Sequence, residues 1–368
     1  MTDLSELTTL RVGGPALELT TVTDAEQLVA ATVDTWASGE PWLILGGGSN
    51  LVVADEGFDG TVIRVLTQGI ERLPNSRPRL RVQAGEPWDD LVAHTIEQGL
   101  AGLEALSGIP GSCGAAPIQN IGAYGQELAD SLVAIEFLDY LTGVASRIPA
   151  AELDLGYRTS ALKQGRQGVV IAIELELTEG ELSEPIGYAQ LASALGVQLG
   201  DRVPTTELRA AVLALRASKG MVLSDGDPDS VSAGSFFTNP IVSASFATAL
   251  PADAPRWPLA PDPEDVVVPL ESFAGDTVQL RAGSGGHVSE VQVKLSAAWL
   301  IERAGIRRGF SLPGSQAAIS SKHTLALVNT GGATADQIGE LARYVQSRVV
   351  NEFGVILQPE PVLVGVQL

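Results

Sequence analysis

This chain of 368 residues has one cysteine and three histidines. Cys113 alone forbids an internal disulfide and suits a reducing compartment. His94, His287 and His323 stand far apart, and neither H-E-x-x-H nor C-x-x-C occurs, so no metal site is expected. Basic residues are scarce as well. The 23 Lys and Arg against 44 Asp and Glu leave a formal charge of −21, which argues against nucleic acid or anionic membrane as partner and makes any positive pocket a local one. No apolar run approaches the roughly 18 residues of a membrane span. The first residues also lack a basic region followed by an apolar one, so a cytoplasmic protein without membrane insertion is expected.

Familiar nucleotide signatures are missing too. Gly46-x-Gly48 is followed by Leu51 where G-x-G-x-x-G needs its third glycine, the run beginning at Gly283 puts Val288 there, and no Gly-Lys-Ser/Thr closes a phosphate loop. Asp225, Asp227 and Asp229 imitate a calcium loop, yet Ser230 replaces the required glycine and Phe236 stands at the bidentate position.

What is present is a mixed helix and strand pattern without repeats, long enough for two or three cores. A capping box at Thr23 and Glu26 predicts a helix with Leu28, Val29, Thr32, Val33 and Trp36 on its buried face, stopped near Gly39; strands over 42–45 and 61–65 follow. The next block predicts strands over 80–84, 135–138 and 169–177 and a helix over 88–98, with a Gly/Ala/Pro segment over 108–125 between them. The last block predicts helices over 206–218 and 296–304. It also predicts a surface loop over 251–269, a helix opened by Thr334 and Gln337, and a strand over 355–357.

Unusual polar chemistry sits in glycine-rich or apolar settings. The loop over 46–51 follows an apolar strand, and its missing side chains let backbone N–H groups approach an anion; a plain tight turn uses the same residues. PIQNIGAYG over 117–125 sets Gln119 and Asn120 among turn formers, for a ring edge, a phosphate, or simply the turn itself. GYR over 156–158 offers a guanidinium that can fork onto a carboxylate or serve as a surface charge. Ser235 stands beside Phe236 and Phe237, and Glu360 between Pro359 and Pro361. Cys113 reads as a small buried residue, with no basic partner nearby in sequence.

Taken in order, LGGGSNL over 45–51, PIQNIGAYG, GYR, AGSFFTNP over 233–240, AAWLIERAG over 297–305 and LQPE over 357–360 make the chain resemble the UDP-N-acetylenolpyruvoylglucosamine reductases. The resemblance implies an α+β protein: a two-subdomain FAD-binding fold of the vanillyl-alcohol-oxidase type over 1–68 and 69–205, and a C-terminal α/β substrate-binding domain over 206–368, with room for the last strand to return toward the active site. The diphosphate of FAD would rest on Gly46, Gly47, Gly48, Ser49, Asn50 and Leu51. A second segment would meet it through Ile109, Pro110, Gly111 and Ser112, then Gln119, Asn120, Gly122, Ala123 and Gly125. Ser49 stands where oxidases with covalent flavin often carry histidine, so non-covalent FAD is expected.

The implied reaction is NADPH-dependent reduction of UDP-N-acetylglucosamine enolpyruvate to UDP-N-acetylmuramate by a monomeric enzyme. Hydride addition to the vinyl carbon leaves an enolic dianion, which needs countercharge and then a proton. By the same resemblance Arg158 and Glu360 hold the carboxylate end and Ser235 supplies the proton. Tyr157, Tyr188, Lys219, Asn239 and His323 would meet substrate, with Tyr188 closing over the diphosphate and Lys219 bringing positive charge. The stretch 270–293 looks longer than the family core, and Pro361 after Glu360 is a local departure. A related FAD oxidase and a catalytically idle sugar-nucleotide-binding protein are the rivals; a yellow chromophore bleached by NADPH separates both from the reductase.

Overall fold

The computed structural model describes residues 2–259 and 291–368. The expectations for 270–290, His287 among them, lie outside the described residues, as does the expected loop beyond residue 259. The chain forms two compact units, Met1–Phe236 with Arg307–Tyr344 and Pro359–Leu368, and Phe237–Ile306 with Val345–Gln358.

The larger unit opens with a parallel three-stranded sheet, in the order Ala16–Val22, Phe58–Val65, Trp42–Leu45. The helix Ala25–Ser38 makes the crossover between the two outer strands, Ala16–Val22 and Trp42–Leu45, which a parallel arrangement requires. Its cap is one residue later than the expected box: Asp24 accepts the Gln27 N–H at 2.8 Å, while Gly39 ends it in the left-handed region at φ 74°. Asp24 wins because its carboxylate lies at the residue that leaves the helix, and Gln27 turns back to the Thr23 N–H instead.

A second sheet is wholly antiparallel, in the order Ala145–Pro149, Leu132–Asp139, Gly168–Glu176, Arg79–Gln83, Ile70–Leu73. Alternation along the strands, interrupted by two register shifts between Leu132–Asp139 and Gly168–Glu176, gives its two faces. Leu80, Val82, Ile135, Phe137 and Ile173 are buried with Trp88 and Leu91 of the helix Trp88–Glu97, whereas Arg79 pairs with Glu176, Arg81 with Glu136 and Arg147 with Glu174 on the other face. Cys113 is buried in this core, where desolvation holds its thiol well above the ordinary range, so it is packing rather than nucleophile.

Two smaller pieces of the same unit position chemistry. Ser232–Ser235 pairs antiparallel with Ala326–Asn329, whose other neighbour is Ala317–Ile319. Val362–Val364 pairs in parallel with Leu51–Val53, which brings the C-terminal segment alongside the glycine loop. The strand expected over 355–357 is absent: Val355 and Leu357 are buried, but no ladder forms there, and the last strand lies seven residues further on. In the second unit Ile241–Ser243 and Arg256–Pro258 flank Gln292–Leu295, so part of the expected surface loop is a strand. The helix Ala335–Phe353 buries Ile338, Leu341, Val345 and Val349 on one stripe, as its period requires. No described helix is long and apolar enough to cross a membrane.

Candidate active site

The loop after the strand Trp42–Leu45 has glycine because backbone from elsewhere occupies the space of a side chain. A Cβ on Gly47 would lie 2.8 Å from Gly111 Cα, and one on Gly48, whose φ is +60°, would lie 2.0 Å from the Leu7 carbonyl oxygen. At Gly46 it would meet Ser112 Oγ at 2.3 Å. The 46–51 and 109–112 segments are thereby pressed together, and Ser49 Oγ donates to Pro110 O at 2.9 Å. The N–H groups of Gly47, Gly48, Ser49 and Asn50 donate to no group among the described residues. Backbone donors left over in a side-chain-free concavity are what an anionic group such as a diphosphate needs.

This cradle lines a cavity of about 380 Å³ whose wall also contains Gln119, Gly122, Arg158, Arg216, Ser235 and Glu360. Next to it a more apolar chamber of about 270 Å³ shares Gly46, Ser112, Ala115 and Ile118 and is closed by Trp42, Phe137 and the 165–170 segment. A backbone-donor cradle with a more apolar chamber beside it fits a dinucleotide such as FAD.

Residues 158 and 360 are distant in sequence and meet at an ion pair: Arg158 Nε stands 3.0 Å from Glu360 Oε1, with both side chains largely buried. Arg158 adopts φ 55°, an uncommon left-handed conformation for a residue with a side chain, and its Nη2 donates to Gly122 O at 2.5 Å. Asn120 and Tyr124 share that left-handed conformation, so the expected loop over 117–125 is held in unusual geometry at two places besides Arg158. Glu360 is fastened from several sides. Its N–H donates to Phe236 O at 2.8 Å, and its carbonyl accepts from Asn50 Nδ2 and Lys163 Nζ, each at 3.3 Å. Asn50 Nδ2 also reaches Gln119 Oε1 at 2.8 Å, linking the two expected cofactor segments. Burial raises the proton affinity of the Glu360 carboxyl above the usual range, against the opposing pull of Arg158 and Lys163.

Ser235, at the end of its strand, has its Oγ 3.3 Å from His323 Nε2. The imidazole is held neutral: burial first, then Lys219, Arg308 and Arg216, lower its pKa to about 4. These cations also supply the local positive charge that the acidic composition hides. Lys219 donates to Gln190 Oε1 at 2.9 Å and lies 5.5 Å from the centre of the Tyr124 ring, which meets Tyr188 edge-on at 5.6 Å. Arg216 is braced by the Gly108 and Met221 carbonyls at 3.1 and 3.0 Å.

The expected residues therefore divide. Gly46 to Leu51, Ile109 to Ser112, Gln119, Gly122, Arg158, Ser235 and Glu360 share one cavity. Ala123 and Gly125 belong to the adjoining hairpin segment without lining it, and Tyr157 stacks beneath the Arg158 guanidinium at 5.6 Å. Asn120 is almost wholly buried; its side chain donates to Glu127 and to Gly156 O in the segment before Arg158 and accepts the Ala129 N–H. Asn239, in the second unit, accepts the Ala297 N–H at 2.9 Å at the start of the helix Ala297–Arg303. Sequence reasoning missed Lys163 and Arg216. Lys163 stands five residues beyond a singled-out arginine, and Arg216 lies within the expected helix over 206–218.

Two family models match the chain: "FAD binding domain" over residues 17–147, and "UDP-N-acetylenolpyruvoylglucosamine reductase, C-terminal domain" over 227–364. A protein of that reductase name from Leifsonia xyli is 59% identical, with 100% of both chains covered. Proteins of the same name from Saccharopolyspora erythraea and Thermobifida fusca are 47% and 46% identical, each covering 99% of this chain and 95% and 97% of their own. The crystal structure of the UDP-N-acetylenolpyruvylglucosamine reductase from Thermus caldophilus superimposes with a TM-score of 0.63 at 28% identity, covering 99% of this chain and 97% of that one. These likenesses bear out the expected α+β class with its FAD-binding portion.

Proposed function

Because the chain belongs to the UDP-N-acetylenolpyruvoylglucosamine reductase family and is an FAD-dependent oxidoreductase, we propose that it reduces UDP-N-acetylglucosamine enolpyruvate to UDP-N-acetylmuramate, with NADPH as electron source, in cytoplasmic peptidoglycan precursor synthesis. One observation carries this reading: the glycine cradle and the trio Arg158, Ser235 and Glu360 line the same cavity. Gly46 to Asn50 and Ile109 to Ser112 would hold FAD without a covalent bond, and the bound flavin supplies the hydride. The domain division at residues 68 and 205 belongs to the same proposal. A single copy suffices, since these residues all come from one chain.

The chain's own groups do the rest. Arg158, fixed by Gly122 O and Glu360, receives the substrate carboxylate and counters the charge that gathers there as the enolic dianion forms. Glu360, with its raised proton affinity, shares a proton with that carboxylate. Ser235 hands its hydroxyl proton to the neighbouring carbon; a neutral His323 carrying its proton on Nε2 donates to Oγ as that happens. Lys219, with Arg216 behind it, draws the diphosphate, and Tyr188 covers it.

Stopped-flow absorbance of the two half-reactions tests this. Ser235→Ala should retain FAD and bleach with NADPH at the wild-type rate, while reoxidation by the enolpyruvyl sugar slows by roughly 10²–10⁴, the range of a lost general acid. Ser235→Cys should recover part of the loss. A Ser235→Ala protein that reduces the sugar nucleotide within about tenfold of wild type would remove Ser235 as proton donor, and a wild-type protein that NADPH bleaches but the sugar nucleotide leaves bleached would sink the substrate assignment.

A further inference from the structure

Lys163 lies behind the cavity wall. Its Nζ makes one hydrogen bond among the described residues, to the main-chain carbonyl of Glu360 at 3.3 Å, and no carboxylate is paired with it at ion-pair distance. The contact is built. The turn that carries Lys163 starts at Ser160, which is fully buried; Ser160 Oγ donates to Ile118 O at 2.6 Å and accepts the Lys163 N–H at 3.2 Å. Arg158 stands at the other end of this short segment, so one piece of chain presents two cations to one glutamate, one at its side chain and one at its backbone.

Elsewhere in the larger unit Arg147 meets Glu174 across a sheet face, and Arg77 and Arg79 share Glu176, each cation at ion-pair distance from its carboxylate. Here two half-buried cations face a single carboxylate held between prolines. Half-burying an ammonium without a carboxylate of its own costs free energy, and the site tolerates it because the neighbouring glutamate repays part of that cost. Burial and Arg158 accordingly lower the proton affinity of Lys163 while Glu360 raises it. Arg158 and Lys163 are the charged groups that act on Glu360, and no acidic group among the described residues opposes them.

We propose that Lys163 is a positioning residue for the reductase site: it tethers the Glu360 backbone between the two prolines and, as a second cation beside Arg158, keeps the buried carboxyl able to give up its proton. Arg158 alone faces the competing demand of binding the substrate carboxylate, since its Nε is already engaged with Glu360. With Lys163 present, Glu360 retains a countercharge when that demand is made. This rests on the reading of Arg158 and Glu360 given above. It adds a residue outside the cavity lining.

The test reads the Glu360 titration directly, by ¹³C NMR of flavin-loaded protein labelled at the glutamate carboxyl carbon, with E360Q removing the resonance and so assigning it. K163M should move the midpoint upward by about one pH unit, the order expected for losing one nearby charge in a partly buried setting. K163R should leave it within a few tenths of a unit. K163Q keeps a donor for the carbonyl without the charge, and should titrate like K163M. The limb of the turnover–pH profile that reports the Glu360 titration should shift upward by the same amount in K163M, with flavin reduction by NADPH unaffected. An unchanged midpoint in both K163M and K163Q, or a uniform loss of turnover at every pH, overturns the proposal. A shifted midpoint in a protein that does not reduce the enolpyruvyl sugar leaves the Lys163 coupling standing and refutes the functional reading instead.

Discussion

Acidification should expose the cost of keeping His323 neutral. Its pKa is lowered from 6.5 to about 4, chiefly by burial and further by Lys219, Arg308 and Arg216. Between those values the unfolded chain binds a proton that the folded protein refuses, so folded stability is complete above about pH 6.5 and drains away as pH falls toward about 4. Proton linkage from these two values gives a loss of about 2 kcal/mol on going from pH 7 to 5, and about 3 kcal/mol by pH 4. His323→Gln keeps a polar group near Ser235 Oγ and removes the titration. All other acid-linked groups are common to both proteins, so the difference between them isolates the histidine. Urea unfolding of the flavin-loaded pair, followed by tryptophan fluorescence across this range, should show the wild type losing about 2 kcal/mol more than the variant by pH 5. Equal losses in the two proteins would refute the claim that the imidazole is buried neutral among cations.

Gly48→Ala should cost about 1–3 kcal/mol in backbone strain alone, because its φ is +60°, and the new Cβ, 2.0 Å from the Leu7 carbonyl oxygen, adds a clash; thermal unfolding and the ratio of flavin to protein absorbance would both fall, and unchanged values count against the packed-loop account. Lys219→Ala and Tyr188→Phe should weaken sugar-nucleotide binding roughly ten- to a hundredfold, the worth of one charge-assisted contact, while leaving flavin reduction by NADPH intact; slowed flavin reduction with undiminished nucleotide affinity would contradict that assignment. Acid precipitation should release intact FAD to the supernatant, since Ser49 offers no attachment and its hydroxyl is engaged with Pro110 O; flavin retained in the pellet would show a covalent bond.

Much of this was legible in one dimension because periodicity and punctuation are local. The strand Trp42–Leu45 and the helices Trp88–Glu97 and Thr205–Ser218 lie within a residue or two of where the pattern places them. The failures are also physical. The cap at Asp24 rather than Thr23 turns on which of two adjacent oxygen-bearing residues leaves the helix and reaches the Gln27 N–H. Val355 and Leu357 are apolar and buried, but a strand needs a partner edge, and the available edge at Leu51–Val53 is taken by Val362–Val364. Asn239 and Asn120 carry amides whose partners no local pattern announces: Asn239 Oδ1 accepts the Ala297 N–H, and Asn120 bonds Glu127, Gly156 O and the Ala129 N–H.

By itself the sequence determined the ingredients: a side-chain-free loop after a strand, an acidic chain with few basic residues, and a serine, an arginine and a glutamate in motifs whose joint order identifies the family. Tertiary structure alone decided their relations. Arg158 and Glu360 are 202 residues apart and meet at 3.0 Å because the last strand pairs beside the glycine loop. Ser235 and His323 meet across 88 residues because their segments bracket one antiparallel pair. Lys163 could not be singled out in sequence, since a lysine on a turn is ordinarily a solvated charge, and its significance comes from the carbonyl to which a buried serine aims it. Local chemistry is written residue by residue. The desolvation and long-range pairing that give it a proton affinity and a partner exist only once the chain has closed on itself.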